Sequence, residues 1–199
     1  MAIRKNARLE LSAPSAKDLP DMLQLVQSSA RLHRPWVYPP RTPAAWASYL
    51  RRVKRGLVIA YLLRRRDSGE LVGLVNLNEV VRGALQSAYL GFYGHATHAR
   101  QGFMREGLRA VVGRAFTLHR LHRLEANIQP GNVASLELVK SLGFRREGFS
   151  PRYLKIGGRW RDHERWAVTR ESWKRRVPHN NQMQRTAHSS GESAGGRRR

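Results

Sequence analysis

The chain has 199 residues, which is enough for one domain of ordinary size with a hydrophobic core. It carries 37 Lys and Arg against 14 Asp and Glu, a formal net charge of +23. It contains no Cys, which excludes disulfides, cysteine-based metal sites and a cysteine nucleophile. No apolar run approaches ~18 residues, and the N-terminus lacks the apolar segment of a secretory signal. We therefore expect a cytoplasmic protein that does not span a membrane.

The basic excess is not confined to one end of the chain. The segment from Lys174 to Arg199 contains Glu192 as its only acidic residue and has the polar composition of a disordered tail. We expect a folded domain over residues 1–173, itself strongly basic, and this tail over residues 174–199. Such a charge favours a polyanionic partner such as RNA or a ribosome. An arginine-rich genomic composition would produce the same excess, so both explanations stay open.

Hydrophobic periodicity predicts, in chain order, a strand, two helices, three strands, a helix, a strand, a helix and two strands. The ranges are 8–11, 15–32, 42–53, 57–63, 71–77, a strand ending at 93, 102–119, 121–128, 133–142, 153–156 and 160–169. This order describes a mixed α/β chain with an antiparallel front and a βαβ unit in the middle. The proline- and aromatic-rich segment 33–40 either walls a substrate groove or caps the core.

The stretch from Arg100 to Leu108 follows a short buried strand and opens an amphipathic helix at Gly102. The first turn of a helix has free amide hydrogens and a partial positive charge, so it can bind a phosphate group. One glycine before a helix is also typical of an ordinary strand-to-helix turn. The stretch alone leaves both interpretations open.

The chain also carries an ordered set of short motifs, each weak alone and specific together. They are Pro35-Trp36, Val80-Val81-Arg82-Gly83, Gly102 to Leu108, His122-Arg123, Pro130-x-Asn132-x-x-Ser135, Leu142-Gly143-Phe144, Glu147-Gly148, Tyr153-Leu154 and Trp160-Arg161-Asp162-His163. The set resembles the Gcn5-related N-acetyltransferase (GNAT) superfamily. Within it, the set resembles the RimJ/RimL-type ribosomal-protein N-terminal acetyltransferases, and most of all the RimJ-type alanine acetyltransferases. The resemblance covers residues 9–173 and implies a mostly antiparallel sheet with a splayed central parallel pair.

The resemblance implies acetyl-CoA as donor, no metal, and the N-terminal α-amine of a protein as acceptor. The cofactor is expected where the strand ending near Tyr93 splays from the strand over residues 124–128. Its pantetheine arm would add like an extra strand, and its pyrophosphate would bind loop amides. The expected cofactor contacts are Tyr89, Leu90, Gly91, Phe92, His98, Ala99, Arg100, Gln101, Gly102, Phe103, Asn127, Asn132 and Ser135.

Three positions depart from the family's usual pattern, and of these Gly107, in place of a usual Ala, carries only a mild cost to the helix. Arg100 stands where the family has a Gly, and a positive φ there would cost on the order of 1–2 kcal/mol, although its charge would favour a phosphate. Val139 stands where many relatives place a Tyr that serves the leaving thiol. The Rim-type pattern carries a Ser at the position of Ser135, which we assign as hydrogen-bond donor to the leaving sulfur. The alternative is a first-turn serine bonded to its own backbone.

The sequence does not identify the general base. An α-amine has a pKa of about 7.7–8.0, against about 10.4 for Lys, so a useful fraction is already neutral. The candidates are Glu79, Glu106, Asp162 and His163, of which Glu79, near the expected cleft, is assigned the catalytic role. Glu106 also simply stabilises a helix dipole. Asp162 and His163 either shape the acceptor groove or form a surface pair.

Three functions fit these observations. The first is acetylation of a ribosomal-protein N-terminus, beginning with alanine, on the free protein or the ribosomal particle. That function would include non-specific RNA contact through the basic surface and would involve no membrane. The second is acetylation of another peptide or a small amine. The third is a non-catalytic ribosome-assembly or RNA-binding factor on the same fold.

Overall fold

Seven strands form one sheet in the computed structural model, which describes residues 7–176. The strands are β1 (Leu9–Ser12), β2 (Val58–Arg65), β3 (Leu71–Val81), β4 (Ser87–Gly94), β5 (Arg123–Ile128), β6 (Arg145–Ile156) and β7 (Arg159–Thr169). The helices are α1 (Leu19–Ser28), α2 (Ala30–His33), α3 (Pro43–Lys54), α4 (Phe103–Thr117), α5 (Val133–Ser141) and α6 (Arg170–Arg176). The predicted mixed α/β class is confirmed, and α2 and α6 are additions to the predicted order. The last helix runs into the segment assigned to the tail, and the rest of that segment lies outside the described residues.

The strand order is β1-β2-β3-β4-β5-β7-β6. Every neighbouring pair is antiparallel except β4 and β5, which run parallel and pair only at Ser87↔Arg123, Ala88↔Leu124 and Tyr89↔Glu125. Beyond these three pairs both strands continue without pairing to each other, β4 to Gly94 and β5 to Ile128. The predicted splayed parallel pair is therefore confirmed.

The front half of the sheet is covered on both faces, which explains why its strands are nearly continuous apolar runs. On β2, Tyr61 and Leu63 pack in a core cluster with α4, whereas Leu62 between them packs in a second cluster with α1 and α3. The α4 cluster also contains Val139 and Leu142 from α5 and its end. No helix between residues 7 and 176 is long and apolar enough to cross a membrane.

The predicted helix over 15–32 is wrong in its continuity. Ser15 caps the segment as predicted, with Ser15 N donating to Asp18 Oδ2 at 2.7 Å, but Ala16–Asp18 form a 3-10 turn, α1 runs only from Leu19 to Ser28, and α2 begins at Ala30. Ser29 lies between them with non-helical dihedrals, and its buried hydroxyl accepts a hydrogen bond from Ala96 N at 2.8 Å. A tertiary contact to the loop after β4 thus accompanies the break.

The predicted strand over 153–156 is too short, because β6 already begins at Arg145. Gly148, Ser150 and Pro151 read as turn residues in the sequence. In the fold β6 is the edge strand, and its register with β7 shifts at Gly148 and again between Ser150 and Leu154. Bulges at a sheet edge accommodate Gly and Pro, which local propensity assigns to turns.

Helix α4 approaches the sheet closely at Gly107. A Cβ built at Gly107 would lie 2.3 Å from Leu63 Cδ1, and the Leu63 side chain is fully buried. Gly113 in the same helix has no heavy atom within 4 Å of its would-be Cβ. Substitutions at the two glycines therefore distinguish the effect of packing, which acts only at Gly107, from the effect of helix propensity, which acts at both.

We expect Gly107→Ala to lower the free energy of unfolding by about 1–3 kcal/mol, because overpacking outweighs the gain in helix propensity. Gly113→Ala, the matched control, is expected to raise it by about 0.5–1 kcal/mol. Urea unfolding followed by circular dichroism measures both changes. Equal stabilisation by the two substitutions would show that α4 does not depend on the close approach.

Candidate active site

A cleft opens in the sheet where β4 and β5 part. Parallel strands carry their carboxyl ends at the same edge of a sheet, so the chain leaves both strands at the open end of this cleft. After β4 it enters α4 at Gly102, and after β5 it enters α5 at Asn132. The beginnings of two helices, with their free amide hydrogens and partial positive charge, therefore lie at the same end of the cleft.

The β4 wall of the cleft is an open backbone edge. Tyr89 still lies opposite Glu125, so the open edge begins at Leu90. Its other side is paired to β3 throughout. It ends at Gly94, whose carbonyl accepts a hydrogen bond from His33 Nε2 at 2.8 Å. Of the predicted contacts on β4, Leu90, Gly91 and Phe92 lie on the open edge, and Tyr89 lies where the strands separate.

The loop between β4 and α4 bends twice through left-handed backbone, at Arg100 (φ 60°) and Gly102 (φ 81°). The positive φ at Arg100 is the conformation in which a non-Gly residue carries a cost on the order of 1–2 kcal/mol. The amides of His98 and Ala99 are used in a short 3-10 turn, where they donate to the carbonyls of His95 and Ala96. Within residues 7–176, the amides of Gly102 and Phe103 have no protein acceptor.

Arg8 locks the start of α4 in place. Its Nε lies 2.9 Å from Glu106 Oε2, its backbone N donates to Glu106 Oε1 at 2.8 Å, and its Nη1 donates to the Gln101 carbonyl at 3.3 Å. Its guanidinium also lies 4.3 Å above the centre of the Phe103 ring. Glu106 is therefore engaged in tying the chain before β1 to the first turn of α4. It is poorly placed to act as a base.

The first turn of α5 presents a serine hydroxyl. Asn132 is the N-cap, with its Oδ1 accepting from Ser135 N at 3.3 Å. Ser135 Oγ has no hydrogen-bond partner in the part of the chain that the structure describes, whereas Ser141 Oγ in the same helix donates to the Leu138 carbonyl at 2.7 Å. The bonding of Ser135 to its own backbone is thus absent. Val139 is fully buried in the core.

Glu79 lies near the end of β3 that is far from the loop between β4 and α4. At this position the register between β3 and β4 is irregular. Glu79 has a positive φ of 47°, and the register shifts between Asn78 and Val81. Its side chain is 67% exposed and its Oε1 lies 3.7 Å from Arg52 Nη2. A bulge re-aims a side chain, and backbone strain of this kind clusters at functional sites.

The remaining two base candidates have structural partners. Asp162 Oδ1 accepts a hydrogen bond from Arg152 N at 2.7 Å and so fixes the bulged part of β6. His163 is buried, and its Nδ1 lies 2.9 Å from the Arg161 carbonyl. Burial lowers the pKa of His163 below its usual 6.5. The ring is therefore neutral at pH 7.

Within residues 7–176, one surface of the second half of the sheet is not covered by a helix. We call it the open face, and it is the side of β5, β7 and β6 turned away from α4. Partners in a ladder point to the same side, so Tyr89, Glu125, Asn127 and Arg165 share this face, and alternation adds Arg161. It adjoins the open end of the cleft.

The loop over residues 34–41 reaches over the open face. Val37 packs against the cluster of α1 and α3, but Trp36 lies against the β5–α5 turn, where a Cβ at Gly131 would be 2.9 Å from its ring. Tyr38 lies against the β6–β7 turn, with a would-be Cβ of Gly157 at 2.5 Å. The loop therefore caps the core through Val37 and borders the open face through Trp36 and Tyr38, and its role as the wall of a substrate groove stays a prediction.

Tyr89 and Tyr153 meet across this face. The neighbouring Tyr153 hydroxyl, followed by burial and by the carboxylates of Glu125 and Glu79, raises the pKa of Tyr89 to about 12. The phenol is therefore protonated at neutral pH and is a hydrogen-bond donor. The pair could not be predicted from the sequence, because the register of β6 shifts between Ser150 and Leu154, so that Tyr153 does not follow simple strand alternation.

Residues 8–145 match the family described as Acetyltransferase (GNAT) domain. The chain belongs to the GNAT acetyltransferase family. The family uses acetyl-CoA as its acetyl donor. In the described part of the chain, no three His, Cys, Asp or Glu side chains are grouped so that they could hold a metal ion.

Two proteins that are similar to this chain in sequence are matched over different shares of their own length. YjcK of Bacillus subtilis (strain 168), described as a probable N-acetyltransferase, is 40% identical over 98 residues, which cover 49% of this chain and 54% of the relative. This chain thus spans about half of that relative. The [ribosomal protein uS5]-alanine N-acetyltransferase of Escherichia coli (strain K12) is 34% identical over 135 residues, covering 66% of this chain and 70% of the relative.

Two solved structures share the fold. RimJ of Mycobacterium smegmatis, in complex with CoA-disulfide, has a TM-score of 0.76 and 26% identity, covering 86% of this chain and 84% of that one. Spermidine N-acetyltransferase of Vibrio cholerae, in complex with CoA and spermine, has a TM-score of 0.73 and 22% identity, covering 84% and 99%. The second likeness shows the fold alone.

Proposed function

We propose that this GNAT enzyme transfers acetyl from acetyl-CoA to the N-terminal α-amine of a ribosomal protein that begins with alanine. The observation that carries the proposal is the similarity to the uS5-alanine enzyme of Escherichia coli over 70% of that enzyme's length. The open face supports a polypeptide acceptor, because it extends along β5 and β7 from the cleft and is walled by the loop over residues 34–41. The net charge of +23 suits an enzyme that approaches RNA-rich particles.

The residues around the cleft fit acetyl-CoA. The open edge of β4 from Leu90 to Phe92 offers backbone groups to the pantetheine arm, as a neighbouring strand would. The free amides of Gly102 and Phe103, with the charge of Arg100, suit the pyrophosphate. Acetyl-CoA supplies an acetyl group already activated as a thioester. Its binding would stay within the sheet, and the acceptor would arrive from the open face.

Ser135 is the proposed donor to the leaving sulfur. Its hydroxyl is on the first turn of the helix that begins at the open end of the cleft, and no protein group within residues 7–176 accepts its proton. The hydrogen of Oγ is therefore free to stabilise negative charge that develops beside it. Asn132, as the N-cap, holds this turn in place.

Glu79 is the proposed proton acceptor. Its position supports this role, because it follows Asn78, the ladder partner of Tyr89, and Tyr89 is the last residue of β4 that pairs with β5. Its exposure leaves it in contact with water, through which a proton can move. The demand on this base is modest, because an α-amine with a pKa of about 8 is already about one-tenth neutral at pH 7.

The acceptor itself is tested with defined amines. We expect acetylation of the α-amine of a peptide that starts with Ala, with kcat/KM about a hundredfold higher than for a Lys side chain in the same peptide with a blocked N-terminus. The reason is the difference of about 2.4 units between the two amine pKa values. Mass spectrometry locates the acetyl group. Faster turnover of the Lys side chain or of spermidine would reject the proposed function.

Ser135→Ala is expected to lower kcat roughly tenfold to a hundredfold, the range for losing a hydrogen bond to developing charge. The KM for acetyl-CoA should stay within about twofold, because the cofactor is bound elsewhere by backbone groups. Ser141→Ala is the control, since that hydroxyl bonds within the same helix. Steady-state kinetics that are the same for both variants would remove Ser135 from the mechanism.

Glu79→Gln is expected to lower kcat/KM by up to about tenfold at pH 7, and hardly at all at pH 9, where the amine is neutral without help. The rate of the variant should follow the ionisation of the peptide amine alone. Glu137→Gln on the exposed side of α5 is the control. A pH profile that does not change in Glu79→Gln contradicts the assignment.

A further inference from the structure

Five buried side-chain atoms in residues 7–176 have no hydrogen-bond partner, and three of them belong to residues of the open face. The three are Asn127 Oδ1, Arg161 Nε and Arg165 Nε. Buried polar atoms are normally paired, so an unpaired group in a folded protein needs an explanation. Three such groups on one surface beside the cleft are explained together if a polar ligand binds there.

The fold brings these three side chains into one row. Asn127 and Arg165 are direct partners in the β5–β7 ladder, about 4.8 Å apart. Arg161 is four residues along β7, roughly 13 Å further and on the same side. Because β7 runs antiparallel to β5, Arg161 lies beyond the end of β5, towards the β6–β7 turn on which Tyr38 packs.

Gly148 on β6 makes room for one of these cations. A Cβ at Gly148 would lie 2.5 Å from Arg165 Nη2, so the guanidinium rests directly on the β6 backbone. Gly148 is the ladder partner of Arg165. The guanidinium of Arg165 thus packs on the backbone of the bulged edge strand, within the open face.

The charges on the open face are unbalanced. Arg123 takes up both nearby carboxylates: its Nε lies 2.8 Å from Glu125 Oε1, and its other nitrogens bond to Glu147, so that Arg123 lowers the pKa of Glu147. Arg161 and Arg165 form no ion pair within 4 Å in residues 7–176, although Arg165 is near enough to Glu147 to add to the lowering of its pKa. Arg34, on the loop that walls the face, adds a third cation near the Tyr38 ring. His163, between the two arginines, is neutral.

We propose that Arg165 and Arg161 bind carboxylates of the acceptor polypeptide just after its N-terminal residue. The enzyme would then prefer acceptors with acidic side chains at positions 2–4. The inference rests on the proposed function, since its occupant is the peptide acceptor. Asn127 Oδ1 accepts a hydrogen bond from the incoming amine, and the chain behind it runs along β7. An extended peptide advances about 3.4 Å per residue, so positions 2 and 4 lie about 7 Å apart, and the length of the Glu and Arg side chains makes up the rest of the distance between Arg165 and Arg161.

Two peptides of equal length test the proposal. They begin Ala-Glu-Glu-Glu and Ala-Gln-Gln-Gln and share one neutral continuation. With the full chain and saturating acetyl-CoA at low salt, we expect kcat/KM to be roughly tenfold higher for the Glu peptide, as for charge-assisted hydrogen bonds. Added salt should reduce the difference because part of the attraction is screened.

The double variant Arg161→Gln, Arg165→Gln should bring the ratio of the two peptides close to one. The KM for acetyl-CoA, which binds in the cleft, should stay as it is. Arg146→Gln is the matched control, because Arg146 lies on the other face of the same hairpin, 3.2 Å from Glu164, and this variant should keep the preference.

Equal kcat/KM for the two peptides with the unmodified enzyme overturns the inference, whether or not the double variant folds. A preference that survives in a folded double variant overturns it as well. If neither peptide is acetylated while a small amine is, the proposed peptide function is rejected. The inference that a peptide binds to the open face is then rejected as well. The two failures are therefore distinguished by whether the peptides turn over.

Discussion

The site depends on two parallel strands that pair for three residues and then part. Had β4 and β5 stayed paired, their backbone groups would have satisfied each other and the sheet would have closed. Because they separate, the edge of β4 from Leu90 onward is left without a strand partner, in the middle of a sheet rather than at its rim. An unpaired edge in a protein interior is normally covered or paired. A linear cofactor arm with amide groups is the partner this edge suits.

The parting also determines where the other functional groups lie. Both strands end at the open end of the cleft. The loop before α4 and the first turn of α5 therefore lie at the same end of the cleft although they are separate in the sequence. Two long-range contacts hold this arrangement. Arg8 fastens the start of α4 through Glu106, and His33 fastens the end of β4 through the Gly94 carbonyl. The excess of basic residues contributes to the structure, because arginines form ion pairs with most of the carboxylates that would otherwise be free bases.

Sequence patterns predicted those parts of the fold in which one local rule decides the outcome. The helix from Gly102 and the strand predicted over residues 121–128 each follow from the spacing of apolar residues. The errors arise where a distant group competes with the local preference. Ser29 interrupts a helical pattern while its hydroxyl bonds the loop after β4, and Gly148 and Pro151 read as turns although edge pairing keeps them in a strand. The partner of Tyr89 was hidden for the same reason, because bulges change which side chains meet.

Fold similarity cannot choose the acceptor. The spermidine enzyme of Vibrio cholerae has this architecture at 22% identity, and a polyamine and a peptide end both offer an amine to the same cleft. The choice has to come from groups that face the acceptor beyond its reacting nitrogen. A polyamine carries further positive charges along its length, which the unpaired guanidinium groups of Arg161 and Arg165 would repel. A polypeptide places carbonyl oxygens and, in acidic sequences, carboxylates at the same distances. On the proposed function, the open face would discriminate by the sign of charge, a property that lies in two side chains of β7 and not in the sheet that carries them.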